Sequence, residues 1–160
     1  MGRTADYSNE RCSVAATLEL VGDPWTMLIV REAFLGVTRF EQWQCKLGVA
    51  RNVLAARLKT LTEHGLLSRE VYSTRPVRQE YLLTAKGRDL LPILTAMLTF
   101  GDRHIYGEGR EPHAYTHLDC GQRFQAKSVC ACCGKPYRMR DLRRETDPNA
   151  ATVGEILEKA

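Results

Sequence analysis

Leu54, Leu58 and Leu61 recur at i, i+4 and i+7, a spacing that lines three leucines along one stripe of a helix. The other side of that helix carries Asn52, Ala55, Ala56 and Lys59, with Arg51 and Arg57 at its flanks. An apolar back is thus joined to a front of small, polar and basic groups. Gly65 closes the helix as a left-handed cap, with His64 in the last turn, where positive charge is favoured. Upstream, Arg39 to Leu47 reads as a helix anchored by Phe40 and Trp43, and Gly48 makes the turn between the two. Downstream, Leu66 and Leu67 open a strand whose partner is Tyr81 to Leu83; Arg69, Arg75 and Arg78 cluster around the loop between them and Pro76 stiffens it. Helix, turn, helix and basic hairpin make a winged helix-turn-helix, mainly α with a small β-wing.

The remaining pattern supports this unit. Residues 1–11 read as a flexible polar leader, and Ser13 to Leu20 as a helix with Val14, Leu18 and Val21 on one face, ended by Gly22. Asp23 caps the next helix and Pro24 occupies its first position, where a missing N–H costs nothing. That helix, Pro24 to Leu35, is apolar on most sides and should form the buried centre of the domain, with Gly36 at its end. Thr84 caps a further helix predicted to run through Leu90, Leu91, Ile93, Leu94, Met97, Leu98 and Phe100, with Pro92 inside it as a kink. So many apolar residues on one terminal helix exceed what a small domain needs and predict a homodimer. Glu108 to His113 reads as a linker, and Val153 to Lys159 as a short helical segment. The expected organisation is a leader (1–11), a winged-helix DNA-binding and dimerisation domain (12–107), a zinc-ribbon-like extension (108–145) and a C-terminal tail (146–160).

Charge sharpens the picture. The formal net charge is +4, but Arg39 to Arg78 holds eight Lys and Arg against three Glu, a local +5, while Met1 to Gly36 holds three basic and five acidic residues, a local −2. A basic block on an otherwise balanced chain suits a polyanion-binding face. No apolar run is long enough to span a bilayer and the N-terminus is polar, so the expected location is the cytoplasm, in association with the nucleoid.

A recognition helix enters the major groove with its N-terminal half against base edges. Asn52 is the candidate for direct readout, since an Asn amide pairs in two ways with adenine. Arg51 would read guanine or hold a phosphate, Lys59 would meet phosphate, and Ala55 would allow close approach or touch a thymine methyl. Arg39 belongs to the same basic face, and wing residues Arg75 and Arg78 would lie against the minor groove or neighbouring backbone. The expected ligand is double-stranded DNA carrying an inverted repeat.

With these residues assembled, the chain resembles the HxlR family of bacterial winged-helix regulators. The resemblance rests on Cys12-Ser13-Val14, on Gly22-Asp23-Pro24-Trp25-Thr26 and on Arg39-Phe40-Glu41. It continues through Val53-Leu54, Arg57-Leu58-Lys59 with Leu61, Gly65-Leu66-Leu67 with Arg69, Pro76-Val77-Arg78 and Glu80-Tyr81. Leu83-Thr84, Gly87, Leu90 and Pro92 complete the ordered set, over roughly residues 12–105. It implies a dimeric DNA-binding repressor or activator, several relatives of which respond to electrophiles or oxidants. One departure is Ala50, where the family often places a capping Ser or Thr; the missing bond costs on the order of 1 kcal/mol of local helix stability.

Four of the six cysteines fall between Cys120 and Cys133, while Cys12 and Cys45 stand alone, a spread that suits a metal site better than a disulfide framework. His117, Cys120, Cys130 and Cys133 form a Cys₃His set with two ligands from each of two short knuckles, and Gly121 and Gly134 each follow a ligand. The expected cofactor is a structural Zn²⁺. Cys132 and, more weakly, His113 are alternative ligands, and a redox dithiol is the non-metal reading. The family resemblance adds that a subset of its members carry a zinc-binding C-terminal extension. Cys12 sits at a helix N-terminus beside Arg11, two influences that favour thiolate; the resemblance implies an oxidant- or electrophile-sensing role at this position, and simple packing is the alternative. Cys45 reads as a buried hydrophobe.

These features predict a sequence-specific transcriptional regulator, a repressor, with an oxidant or small molecule as inducer. A winged-helix protein-interaction module with a structural zinc site is the alternative. An enzyme is not expected, because no residue near the cysteine cluster offers an open ligand position or a general base.

Overall fold

A computed structural model describes residues 6–107 and 109–158. The chain divides into two compact units, Met1–Asp89 with Pro148–Ala160, and Leu90–Asp147.

The first unit is built on α1 (Ser13–Val21), α2 (Pro24–Phe34), α3 (Phe40–Leu47) and α4 (Arg51–Glu63). They are followed by the hairpin β1 (Leu67–Thr74) and β2 (Val77–Leu83) and a single turn, α5 (Ala85–Arg88). Asp23 caps α2 as predicted, its carboxylate accepting the Trp25 N–H at 2.9 Å. Met27, Ile29 and Val30 of α2 are buried. Trp43 of α3 is fully buried and donates its indole N–H to the Ile29 carbonyl at 3.1 Å, so the largest core side chain leaves no unmet polar group. It meets Tyr81 of β2 edge-on, with 6.0 Å between ring centroids. Glu32 is buried but paired with Arg31 at 2.7 Å and Lys46 at 3.3 Å, which ties α2 to α3.

The α4 stripe is as read from the sequence: Leu54, Leu58 and Leu61 are buried. Gly65 follows in the left-handed region (φ +66°), and the Leu66 N–H returns to the Leu61 carbonyl at 2.8 Å. The hairpin is antiparallel, with register from Leu67↔Leu83 at its root to Thr74↔Val77 at its tip and an irregularity between Val71 and Ser73. The Tyr81 N–H donates to the Thr38 carbonyl at 2.8 Å, which fastens β2 to the segment entering α3. Thr84 caps α5 through the Gly87 N–H at 3.0 Å and donates its hydroxyl to the Gly65 carbonyl at 2.6 Å. Gly87 has to be glycine: a Cβ there would lie 2.1 Å from the Leu66 carbonyl oxygen.

Three expectations for this unit are revised. On α1 the buried residues are Ala15 and Val21, while Val14 and Leu18 are 67 % and 42 % exposed, because the helix turns another face to α2 and to the C-terminal helix. The leader, from residue 6 on, is tied down. The Val153 and Gly154 N–H groups of α7 (Val153–Leu157) donate to the Glu10 and Ser8 carbonyls, and Arg11 donates to the Pro148 carbonyl at 3.0 Å. Residues 1–5, and Lys159 at the end of the predicted C-terminal helix, lie outside the described residues. Third, Thr84 does not open one long kinked helix: α5 ends at Arg88 and a new helix begins at Leu91.

That helix, α6 (Leu91–Gly101), opens the second unit. Pro92 lies in its first turn, where no intrahelical N–H bond is due, so it starts a helix instead of bending one. No α6 residue is buried; Leu91, Ile93, Met97 and Phe100 are all exposed. A wider helical turn, Asp102–Tyr106, ends where the Gly107 N–H returns to the Asp102 carbonyl. Beyond it, the described residues from 109 to 147 form two short turns closed by the bridges Thr116↔Arg123 and Val129↔Pro136, and a 3₁₀ turn at Met139–Asp141. None of these residues is buried.

Candidate nucleic-acid interface

The front of α4 is open. Arg51, Asn52, Ala55, Ala56 and Lys59 are all exposed while the leucine stripe behind them is sealed. Ala50 holds the N-cap position in extended geometry with no side-chain bond, so the first N–H groups of α4 lack a side-chain acceptor. Such a helix end favours an anion. Arg51 holds its guanidinium carbon 4.7 Å from the centre of the Phe40 ring while the side chain stays exposed. Lys59 pairs only with Glu63 one turn on, at 3.6 Å and in the open, a contact of little weight.

Arg39, at the N-cap of α3, lies over the Tyr72 ring of β1 at 4.4 Å and so links the helix-turn-helix to the wing. Arg78 is next to the hairpin tip, opposite Ser73, and Arg75 is in the tip; both are exposed. Arg69 does not join them: it lies opposite Tyr81, near the root of the hairpin. Arg57 has a structural post. It pairs with Asp23 at 3.6 Å, and its Nε is buried without a hydrogen bond.

Cys12 is exposed at the N-cap of α1. Arg11 beside it spends its guanidinium on the Pro148 carbonyl. Cys45 is exposed, which corrects its reading as a buried hydrophobe. Two residues beyond Trp43 it lies about 200° around the helix, so the turn that buries the tryptophan sends the cysteine out.

In the second unit the candidate metal ligands come together two and two. His117 Nδ1 lies 3.3 Å from Cys120 Sγ. The Cys130 thiol is held below the ordinary thiol range by the backbone N–H of Cys132, then that of Cys133, with the Cys133 side chain adding to it. Among the described residues no three His, Cys, Asp or Glu gather closely enough to hold an ion as they stand. The Cys132 thiol also contributes, least of all, at Cys130, and His113 is exposed.

Residues 20–108 match the family described as HxlR-like helix-turn-helix. An uncharacterized HTH-type transcriptional regulator of Mycobacterium tuberculosis (strain ATCC 25618 / H37Rv) is 40% identical over 136 residues, 85% of this chain and 86% of its own. The crystal structure of PA1607, a proposed transcription factor, superposes with a TM-score of 0.78 at 38% identity, covering 89% of this chain and all of that one. The redox regulator HypR in its reduced form gives 0.53 at 31% identity, over 56% of this chain and 90% of its own. The chain belongs to the HxlR-like helix-turn-helix family. It is a DNA-binding transcriptional regulator with a winged-helix fold. No single helix among its described residues is long and apolar enough to cross a membrane.

Proposed function

We propose that the protein is a homodimeric repressor that reads an inverted repeat and is released from it when Cys12 is oxidised or alkylated. The observation that carries the reading is the α4 face: Arg51, Asn52, Ala55 and Lys59 are exposed on the helix whose other side is locked into the core. In this reading Asn52 and Arg51 contact base edges from the major groove, Lys59 and the uncapped start of α4 hold phosphates, and Arg39, Arg75 and Arg78 hold the flanking backbone. Dimerisation is supported by the exposed apolar residues of α1 (Val14, Leu18) and of α6 (Ile93, Met97, Phe100), which a monomer would leave in water. The Cys12 switch is supported by its exposure beside Val14 on α1 and by the likeness to a redox regulator.

Two half-sites should lie one or two helical turns apart. The test is selection of genomic fragments by the full chain, followed by binding titrations with and without oxidant. Asn52→Ala should lose roughly 1–3 kcal/mol of affinity and relax one position of the site, and Cys12→Ser should keep its affinity in oxidant while the parent is released. Release of both proteins alike would remove Cys12 from the account. Failure of the parent to select any sequence would remove the operator reading and favour a protein partner for this face.

A further inference from the structure

The two short turns of the cysteine-rich segment are copies of one another. In the first, the His117 N–H donates to the Gln122 carbonyl at 2.9 Å and the Gly121 N–H to the His117 carbonyl at 2.8 Å. In the second, the Cys130 N–H donates to the Lys135 carbonyl at 2.9 Å and the Gly134 N–H to the Cys130 carbonyl at 2.8 Å. Gly121 and Gly134 share the left-handed conformation, at φ +66° and +69°. The flanking bridges match as well, since Thr116↔Arg123 and Val129↔Pro136 occupy the same places around each turn. A shift of thirteen residues carries every one of these relations from one turn to the other.

That shift maps His117 onto Cys130 and Cys120 onto Cys133, and it maps Asp119 onto Cys132. The first and fourth positions of each turn hold an imidazole or a thiol in both copies, whereas the third holds a carboxylate in one and a thiol in the other, with Asp119 Oδ2 3.8 Å from His117 Nε2. In the second turn the amides of Cys132 and Cys133 aim at the Cys130 sulfur. The thiol of Cys133 and, least of all, that of Cys132 also reach this sulfur.

A second observation points the same way. Between residues 109 and 147 none of the described side chains is buried; Leu118 is 91 % exposed, Met139 83 % and Leu142 52 %. Two ordered turns of equal geometry, with no apolar core beneath them, call for another source of cohesion. A tetrahedral ion supplies it by binding two side chains from each turn.

We propose that His117, Cys120, Cys130 and Cys133 bind one structural Zn²⁺ per chain as a Cys₃His site, with Cys132 and His113 outside the coordination sphere. Three thiolates and a neutral imidazole fill all four positions of the ion, so the site orders the segment and leaves no open position for a substrate. On binding, each thiol gives its proton to solvent and the metal–sulfur bonds form with no change of oxidation state.

The experiment is metal analysis of the full chain after gel filtration in a weak chelator, with a panel of variants and with Co²⁺ replacing Zn²⁺. One zinc per chain is expected for the parent, for Cys132→Ser and for His113→Ala. His117→Ala and Cys130→Ser should fall well below one. Because either loss could follow from misfolding, His117→Cys provides the counter-check, and it should restore one zinc and increase the sulfur-to-cobalt charge-transfer absorption over the parent. Less than half a zinc per parent chain, or retention by His117→Ala with loss by Cys132→Ser, would overturn the assignment. Metal content is read without DNA, so the outcome is independent of the operator reading.

Discussion

The helix-turn-helix unit and the cysteine-rich segment of this chain are built by different means. Around Trp43 the helix-turn-helix unit has a sealed interior: Ile29, Val30, Leu54, Leu58, Leu61 and Leu67 are all at or near zero exposure, and the indole N–H, Glu32 and the start of α2 find partners inside the unit. Among its described residues the segment from 109 to 147 has no such interior; it is built of two repeated backbone turns, with polar side-chain contacts such as Arg123–Glu111 at 3.0 Å beside them. A recognition helix has to be held rigidly from behind so that its front can stay bare, and a hydrophobic stripe does that. A short appendage cannot bury enough surface to do the same, and side chains that share a cation are the alternative open to it.

The contrast can be broken from either side. Trp43→Ala should have the largest effect, a loss of about 3–5 kcal/mol in chemical denaturation, because a large side chain, its hydrogen bond and the Tyr81 contact all go at once. DNA binding should fall with it. A strong chelator should do the reverse: the main unfolding transition stays where it is while the 109–147 segment alone loses protection in hydrogen exchange and proteolysis. A chelator that unfolded the Trp43 unit as well would show that the two regions do not stand separately. Next in size, Gly87→Ala should cost about 1–3 kcal/mol, since the added Cβ meets the Leu66 carbonyl and α5 has to move.

Two smaller effects sharpen the picture of the open face. Arg75→Ala should weaken all DNA sequences alike and lower the salt slope of binding by about 1, with stability unchanged; an unaltered slope in a salt titration would take the wing tip off the DNA. Ala50→Ser should raise thermal stability by about 1 kcal/mol or less by capping α4. If those free N–H groups hold a phosphate, the same change should weaken DNA binding slightly.

Much of the first unit was legible because its signals are local. The leucines of α4, the Asp23-Pro24 start of α2 and Gly65 each act within a few residues of themselves, and each sits where the pattern put it. The failures are those that only packing decides. Val14 and Leu18 share a face with Val21 in the sequence, but which face of α1 is covered depends on where α2 and α7 lie. Cys45 went outward because Trp43 took the core-facing position. Pro92 was misread because the apolar pattern runs through a helix break without a pause, and a proline in a first turn looks like a proline in an interior. The pairing of Ser8 and Glu10 with α7 uses backbone groups alone and left no side-chain signal to read. Of the candidate site, the residue types and spacing were readable, but Phe40 reads only as a helix anchor and Asp23 only as a cap, not as the partners of Arg51 and Arg57, and Arg69 reads as part of the wing loop. The stacking of Arg39 on Tyr72 was not, since the two lie on different elements and are joined only by the return of the wing.

The most direct test of the central claim is to select genomic DNA fragments with the purified full chain at moderate salt and compare the parent with Asn52→Ala. The account predicts that the parent enriches a short inverted repeat with half-sites one or two helical turns apart, and that Asn52→Ala, folded and dimeric like the parent, loses discrimination at one position of each half-site. An equal enrichment by both proteins, or no enriched sequence for the parent, would contradict the assignment of the α4 face as the reader of DNA.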